Sequence, residues 1–163
     1  MDSKTPIRQS LNLSNYILTS YLEDLSEPDF FARPVMGMNT IAWQIGHLIS
    51  NEHSMVEAVH PGLSPALPAG FPEAHSKETT TIDDPGKFLS KDAYLKLFHE
   101  QRAATLATLD AMSDADLDKP GPERMASMAA TAGEVLNMVG LHVLMHVGQF
   151  VPVRRMAKKP IVI

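Results

Sequence analysis

The chain contains no cysteine. That absence excludes disulfide frameworks, thiolate metal sites and cysteine nucleophiles, and leaves His, Asp, Glu or water as the available metal ligands. No run approaches the ~18 consecutive apolar residues that a membrane span requires. No apolar segment follows the opening Met-Asp-Ser-Lys-Thr-Pro, so no signal peptide is expected, and a cytoplasmic location is the expectation. Useful strand alternation and internal repeats are missing as well. Positive charge is not in excess: the formal net charge is −5, which opposes a general affinity for nucleic acid. The local cluster Arg154, Arg155, Lys158 and Lys159 reads as cations complementing a helix C-terminus or as an anion site.

Hydrophobic residues make up 44% of the 163 positions and charged residues 20%, the balance of one globular domain spanning residues 1–163. Four helices are expected. The first starts at Thr5 with Pro6 at its first position, carries Ile7, Leu11, Tyr16, Ile17, Tyr21 and Leu25, and ends before Pro28. The second is capped by Asn39 and runs to about residue 58, with Ile41, Ile45, Leu48, Met55 and Val59 as its stripe. Residues 59–90 form an irregular connection holding five of the twelve prolines and three of the nine glycines. A link of that length is a covering loop, a crossover or both. Ser90 caps a third helix that fades near Met112, and Ser113 to Leu117 make one short turn. Thr131 and Glu134 have the spacing of a capping box for the fourth helix, expected over 131–157, apolar nearly all round and therefore buried. Pro152 kinks it or ends its regular part. The whole is an all-α four-helix bundle.

Seven histidines stand in this chain. His53, His60, His75 and His99 read as surface or loop residues. His142 and His146 are four apart on the fourth helix, so they share a face, about 6 Å apart along the axis. Two imidazoles so placed can bite one metal ion; bonds to carbonyls or waters are the alternative for such a pair in apolar company. His142-Val-Leu-Met-His146 has no glutamate at its second position, so metalloprotease chemistry is not indicated. His47, near the middle of the second helix, lies level with the pair. A three-imidazole set leaves positions open for water or substrate and suits zinc, nickel, iron or copper better than magnesium or calcium.

The stretches Asn39-Thr-Ile-Ala-Trp-Gln-Ile-Gly-His-Leu48 and Leu141-His-Val-Leu-Met-His-Val-Gly-Gln149 resemble the second and fourth helices of the DinB-like family, the YfiT-related metal-dependent hydrolases. The order of one histidine on the second helix and two on the fourth is similar too. The resemblance implies a four-helix bundle of up-down-down-up topology with a long crossover between the second and third helices. It implies a divalent ion, often nickel or zinc, held by His47, His142 and His146, and a homodimer; with the donor set above, the expected ion is nickel, zinc or iron. Characterised members include thiol transferases that use bacillithiol or mycothiol, so a low-molecular-weight thiol cofactor is implied as well. Pro152 and the proline-rich segment 59–90 depart from the family pattern.

Around these histidines, Trp43 and Asn51 lie one turn either side of His47, and Gln149 three after His146. They are candidates for the pocket or for hydrogen bonds to the ligands, with core packing and helix capping as the alternatives. Glu52 and Glu57 are possible general bases or simply solvated. Methionines 125, 128, 138 and 145 read as flexible core filling. The expected function is a metal-dependent transferase or hydrolase acting on a small molecule, without nucleic-acid or membrane partners; the alternative is a metal-free bundle that serves binding or dimerisation.

Overall fold

A computed structural model describes residues 2–162, and it is helical, with no strand among the described residues. Four long helices dominate. Helix α1 spans Lys4–Leu22, one residue ahead of the expected start. The Asp2 carboxylate takes the Thr5 N–H at 2.7 Å, so the cap lies further upstream than Pro6 suggested. The helix also closes early, with the Glu23 N–H on the Thr19 carbonyl at 2.9 Å, although Leu25 still joins the core.

Helix α2 spans Ile41–Val59. Its cap is Thr40, not Asn39: the Thr40 hydroxyl accepts from the Trp43 N–H at 3.2 Å. Helix α3 spans Lys91–Ala111, with the Ser90 hydroxyl accepting from the Ala93 N–H. Helix α4 spans Ala132–Gly148 and begins in the expected capping box, Thr131 and Glu134 serving one another's backbone N–H groups. Pro152 does more than kink this helix. The chain breaks at Gln149 and Phe150, and a second helix, α5, spans Val151–Met156 with Pro152 in its first turn. There its missing N–H leaves no partner wanting, and its ring no longer opposes the carbonyl of residue 148 in a continuous helix.

The stripe of α1 differs from the expected one. Ile7, Leu11, Leu18 and Leu22 are buried, whereas Tyr16 is 63% exposed. Leu18 and Leu22 join Ile45, Leu48, Tyr94, Phe98, Val147 and Phe150 in the larger core cluster. Leu11 joins Val56, Leu109, Leu136 and Val139 in the second. On α2, Val56 is buried rather than Met55 or Val59, which are half-buried. Helices α1 and α4 approach so closely that a Cβ on Gly140 would lie 2.9 Å from the Ser10 backbone. An 18-residue window within 132–156 has a mean hydropathy of 1.3, apolar enough by length and composition to cross a membrane, and 44% of that window is buried inside the molecule. The core clusters account for Leu136, Val139, Val143 and Val147. Leu141 and Met145 are exposed, contrary to a helix buried on every side.

Between the two clusters the helices meet at a charged group. Glu52, read above as a solvated glutamate or a base, is 2% exposed. Its oxygens accept from Arg102 Nε and Nη2, both at 2.9 Å, and from the Thr105 hydroxyl at 2.7 Å. Arg102 Nη1 donates onward to the Leu11 carbonyl and the Ser14 hydroxyl of α1. One guanidinium thus ties three helices. A buried pair of this kind is costly to break, because the survivor is left charged in a medium of low polarity. Glu52→Ala should lower the urea-measured unfolding free energy by about 3–5 kcal/mol. The double replacement Glu52→Leu with Arg102→Met should recover much of that loss, and an additive penalty in the double variant would refute this account.

Candidate metal centre

The middle of α2 faces α4 through His47, and α4 returns His142 and His146. One ring nitrogen from each of the three lies within 4.8 Å of the others. The ring centroids are 5.5 Å apart for His47 and His142, 5.3 Å for His47 and His146, and 4.8 Å for His142 and His146. A tetrahedral zinc with Zn–N bonds of about 2.0–2.1 Å needs ligand nitrogens roughly 3.3 Å apart. Small side-chain rotations would close the difference. The donor set fits a borderline cation of the zinc, nickel or iron type and fits magnesium or calcium poorly.

Hydrogen bonds orient two of the rings. Gln44 is buried, and its amide nitrogen donates to the Asn39 carbonyl at 3.0 Å. Its oxygen therefore faces His146, and Nδ1 of His146 donates to it at 2.9 Å. That assigns the proton of His146 to Nδ1 and leaves the Nε2 lone pair free. In His47, Nδ1 lies 3.3 Å from the His75 carbonyl, which can only accept, so Nε2 carries the lone pair, with the Asn51 amide nitrogen 3.3 Å away. Histidines that hold metals are commonly oriented in this way, by an oxygen on the far nitrogen. Gln44 carries no spacing signal that would have separated it from any other core-facing residue. Gln149, the residue singled out from the sequence, is exposed at the end of α4 and its backbone closes the helix.

Trp43 and Asn51 do meet the cluster. The Trp43 indole stacks on His47 with centroids 4.8 Å apart and planes 14° from parallel. Its Nε1–H donates to the Ser76 carbonyl and the Thr79 hydroxyl, so it is core packing and loop anchor at once. Asn51 donates to the His47 carbonyl at 2.8 Å and lies 3.3 Å from the ring nitrogens.

His75 is not a surface residue, contrary to the expectation; it is 3% exposed. Its Nδ1 donates to the Phe71 carbonyl at 2.7 Å and its Nε2 accepts from the Tyr94 hydroxyl at 2.6 Å. The ring lies so close to α2 that a Cβ on Gly46 would come within 2.0 Å of it. Only glycine at 46 admits His75, and it is the backbone of His75 that meets His47. The irregular segment between α2 and α3 is therefore a cover for the centre, pinned by Trp43 and His75.

Burial sets the protonation of the cluster. It pulls His142 and His146 down to about 4, the neighbouring imidazoles adding to the effect. His47 is lowered by burial, the His75 carbonyl opposing the shift and the charge of Lys77 adding to it. All three rings are neutral near pH 7, the form that ligates metal.

Beside His142 opens a groove of about 380 Å³ lined by Met55, Met125, Met128, Met138, Leu141 and Met145, with Asn51 and His142 its remaining lining residues. Met128 and Met145 are 67% and 61% exposed, so these methionines are not simply core filling. The basic cluster resolves differently: Arg154 is 3% exposed and donates to Asp24 and the Tyr21 carbonyl, which makes it a structural cation.

A family model described as the DinB superfamily matches residues 12–150. No curated protein matches the chain.

Two tests bear on this geometry. With folded-state values near 4 for His142 and His146 against an ordinary 6.5, the unfolded chain binds more protons across that interval. Stability of the metal-free protein should then rise with pH from about 4 to 6.5 and be lost on acidification through the same window. His146→Gln should flatten the slope in urea titrations at stepped pH, and an unaltered slope would contradict the assignment. Gly46→Ala should expel His75, seen as a shifted emission maximum from the sole tryptophan, Trp43; unchanged emission would show that the cover does not depend on this contact.

Proposed function

The chain belongs to the DinB superfamily, and on that premise we propose that it is a metal-dependent enzyme in which His47, His142 and His146 hold one divalent nickel, zinc or iron ion. The observation that carries this reading is the convergence of three neutral imidazoles within 4.8 Å, from two helices. Two of them already commit their outer nitrogens to Gln44 and to the His75 carbonyl. When bound, such an ion acts as a Lewis acid and lowers the pKa of a coordinated water or thiol.

The chain's own groups then divide the work. Gln44 and the His75 carbonyl hold the ring tautomers, Trp43 shields one side of His47, and His142 faces the open groove. No carboxylate lies among the three ligands, and Glu52 is committed to Arg102, so the reading includes no glutamate base. Transfer to a low-molecular-weight thiol, or hydrolysis, is the reaction class that suits this arrangement. Since the chain has no cysteine, any thiol must arrive as a small molecule.

We further read the four long helices as an up-down-down-up bundle within a single domain. Pairs along α1 and α4 ascend together, Ile7 beside Gly133 and Ser10 beside Gly140. Pairs between α1 and α3 run opposite ways, Arg8 with Asp110 and Leu22 with Lys91. Gln44 with His146 and Met55 with Met138 set α2 against α4. These pairings support parallel α2 and α3, joined by the long crossover.

Metal content by plasma mass spectrometry, on untagged protein, tests the central reading. About one equivalent of nickel, zinc or iron is expected in the native chain, and loss of most of it in each of His47→Ala, His142→Ala and His146→Ala. Gln44→Leu should weaken retention by roughly 10–100-fold without abolishing it. Native protein that takes up no divalent ion after soaking would overturn the proposal and favour a metal-free binding or dimerisation module.

A further inference from the structure

We propose that the methionine groove beside His142 binds the apolar, uncharged body of a small-molecule substrate whose donor end reaches the histidine cluster. The inference rests on the metal-dependent reading above and names the substrate class for that site. The groove and the cluster share a wall, because His142 belongs to both. At about 380 Å³ the groove is of the size that takes a small ligand. No Lys, Arg, Asp or Glu lines it, and the nearby Arg124 is turned to the Ser54 hydroxyl at 2.8 Å. A charged or sugar-like body would lose its hydration there and gain no partner.

Polarity is confined to Asn51 and His142, next to the cluster. A substrate seated in the groove is therefore read at its donor end by the histidines and along its body by thioether and leucine side chains. Methionine adapts its shape to what it touches, so the body is selected by apolarity and length more than by outline. Met128 and Met145 are exposed while lining the groove, and binding of an apolar body is the event that would remove them from water.

The test uses the full chain loaded with cobalt(II), titrated with ethanethiol, butane-1-thiol and hexane-1-thiol and followed by the thiolate-to-cobalt charge-transfer band. Affinity should rise roughly two- to fourfold per added methylene. Met145→Asp and Met128→Asp change exposed side chains, so the fold should survive; they should flatten the chain-length dependence while cobalt stoichiometry is unchanged. Cobalt uptake with equal affinity for all three thiols would overturn the groove proposal and leave the metal reading standing. Failure to take up cobalt would overturn both. A native dimer that Met145→Asp dissociates, together with a flat chain-length series, would assign the groove to a second copy of the chain and overturn the small-molecule proposal.

Discussion

The buried ion pair of Arg102 and Glu52 is the constraint on which the rest of the structure rests. Glu52 stands five residues after His47 on α2, and Arg102 reaches from α3 through it to the backbone of α1. A charged pair withdrawn from water tolerates little displacement, because its attraction must offset the hydration lost by both ions. With the Thr105 and Ser14 hydroxyls it joins α2 to α3 and α1 at one level. Sliding α2 by one turn would cost the pair both bonds and would lift His47 away from His142 and His146. The convergence of the three histidines thus depends on an interaction that takes no part in it.

A second constraint is close backbone approach. Gly140 lets α4 lie against Ser10 of α1, and Gly46 lets the His75 ring lie against α2. The first brings the histidine pair to its depth. The second seats the connection over the centre, so that the His75 carbonyl reaches His47 and Ser76 and Thr79 receive the Trp43 indole. An irregular segment with five prolines could not supply a regular hydrogen-bond ladder. It supplies carbonyls instead, at places where the helices need acceptors.

Much of this was legible along the chain. The capping box at Thr131 and Glu134 and the Ser90 cap are local signals, because each rests on atoms within a few residues of one another; the stop expected from Pro28 is not one, since the helix ends at Leu22 and Glu27 keeps helical backbone angles. His142 and His146 were legible for the same reason, since helical spacing alone puts them on one face. Tyr16 and Leu18 show where such reasoning stops. Both are apolar and near one another, and which of them faces inward depends on the partner helix. Helix α3 was harder still. Its buried face includes Gln101, Arg102, Thr105 and Thr108, residues that read as surface until Glu52 and Ser14 stand opposite them.

Local signals along the chain carried the helical class, the approximate placement of the long helices and the pair of histidines on one face. Those features follow from hydrogen bonds and side-chain periodicity within a single helix. Packing between distant segments made Gln44 rather than Gln149 the partner of His146, buried His75, and set five methionines and a leucine around an open groove. Each of those depends on groups tens of residues apart in the chain. The physical reason is that burial and hydrogen-bond partnership are properties of what arrives across the gap, and a residue's own neighbours in sequence carry no record of it.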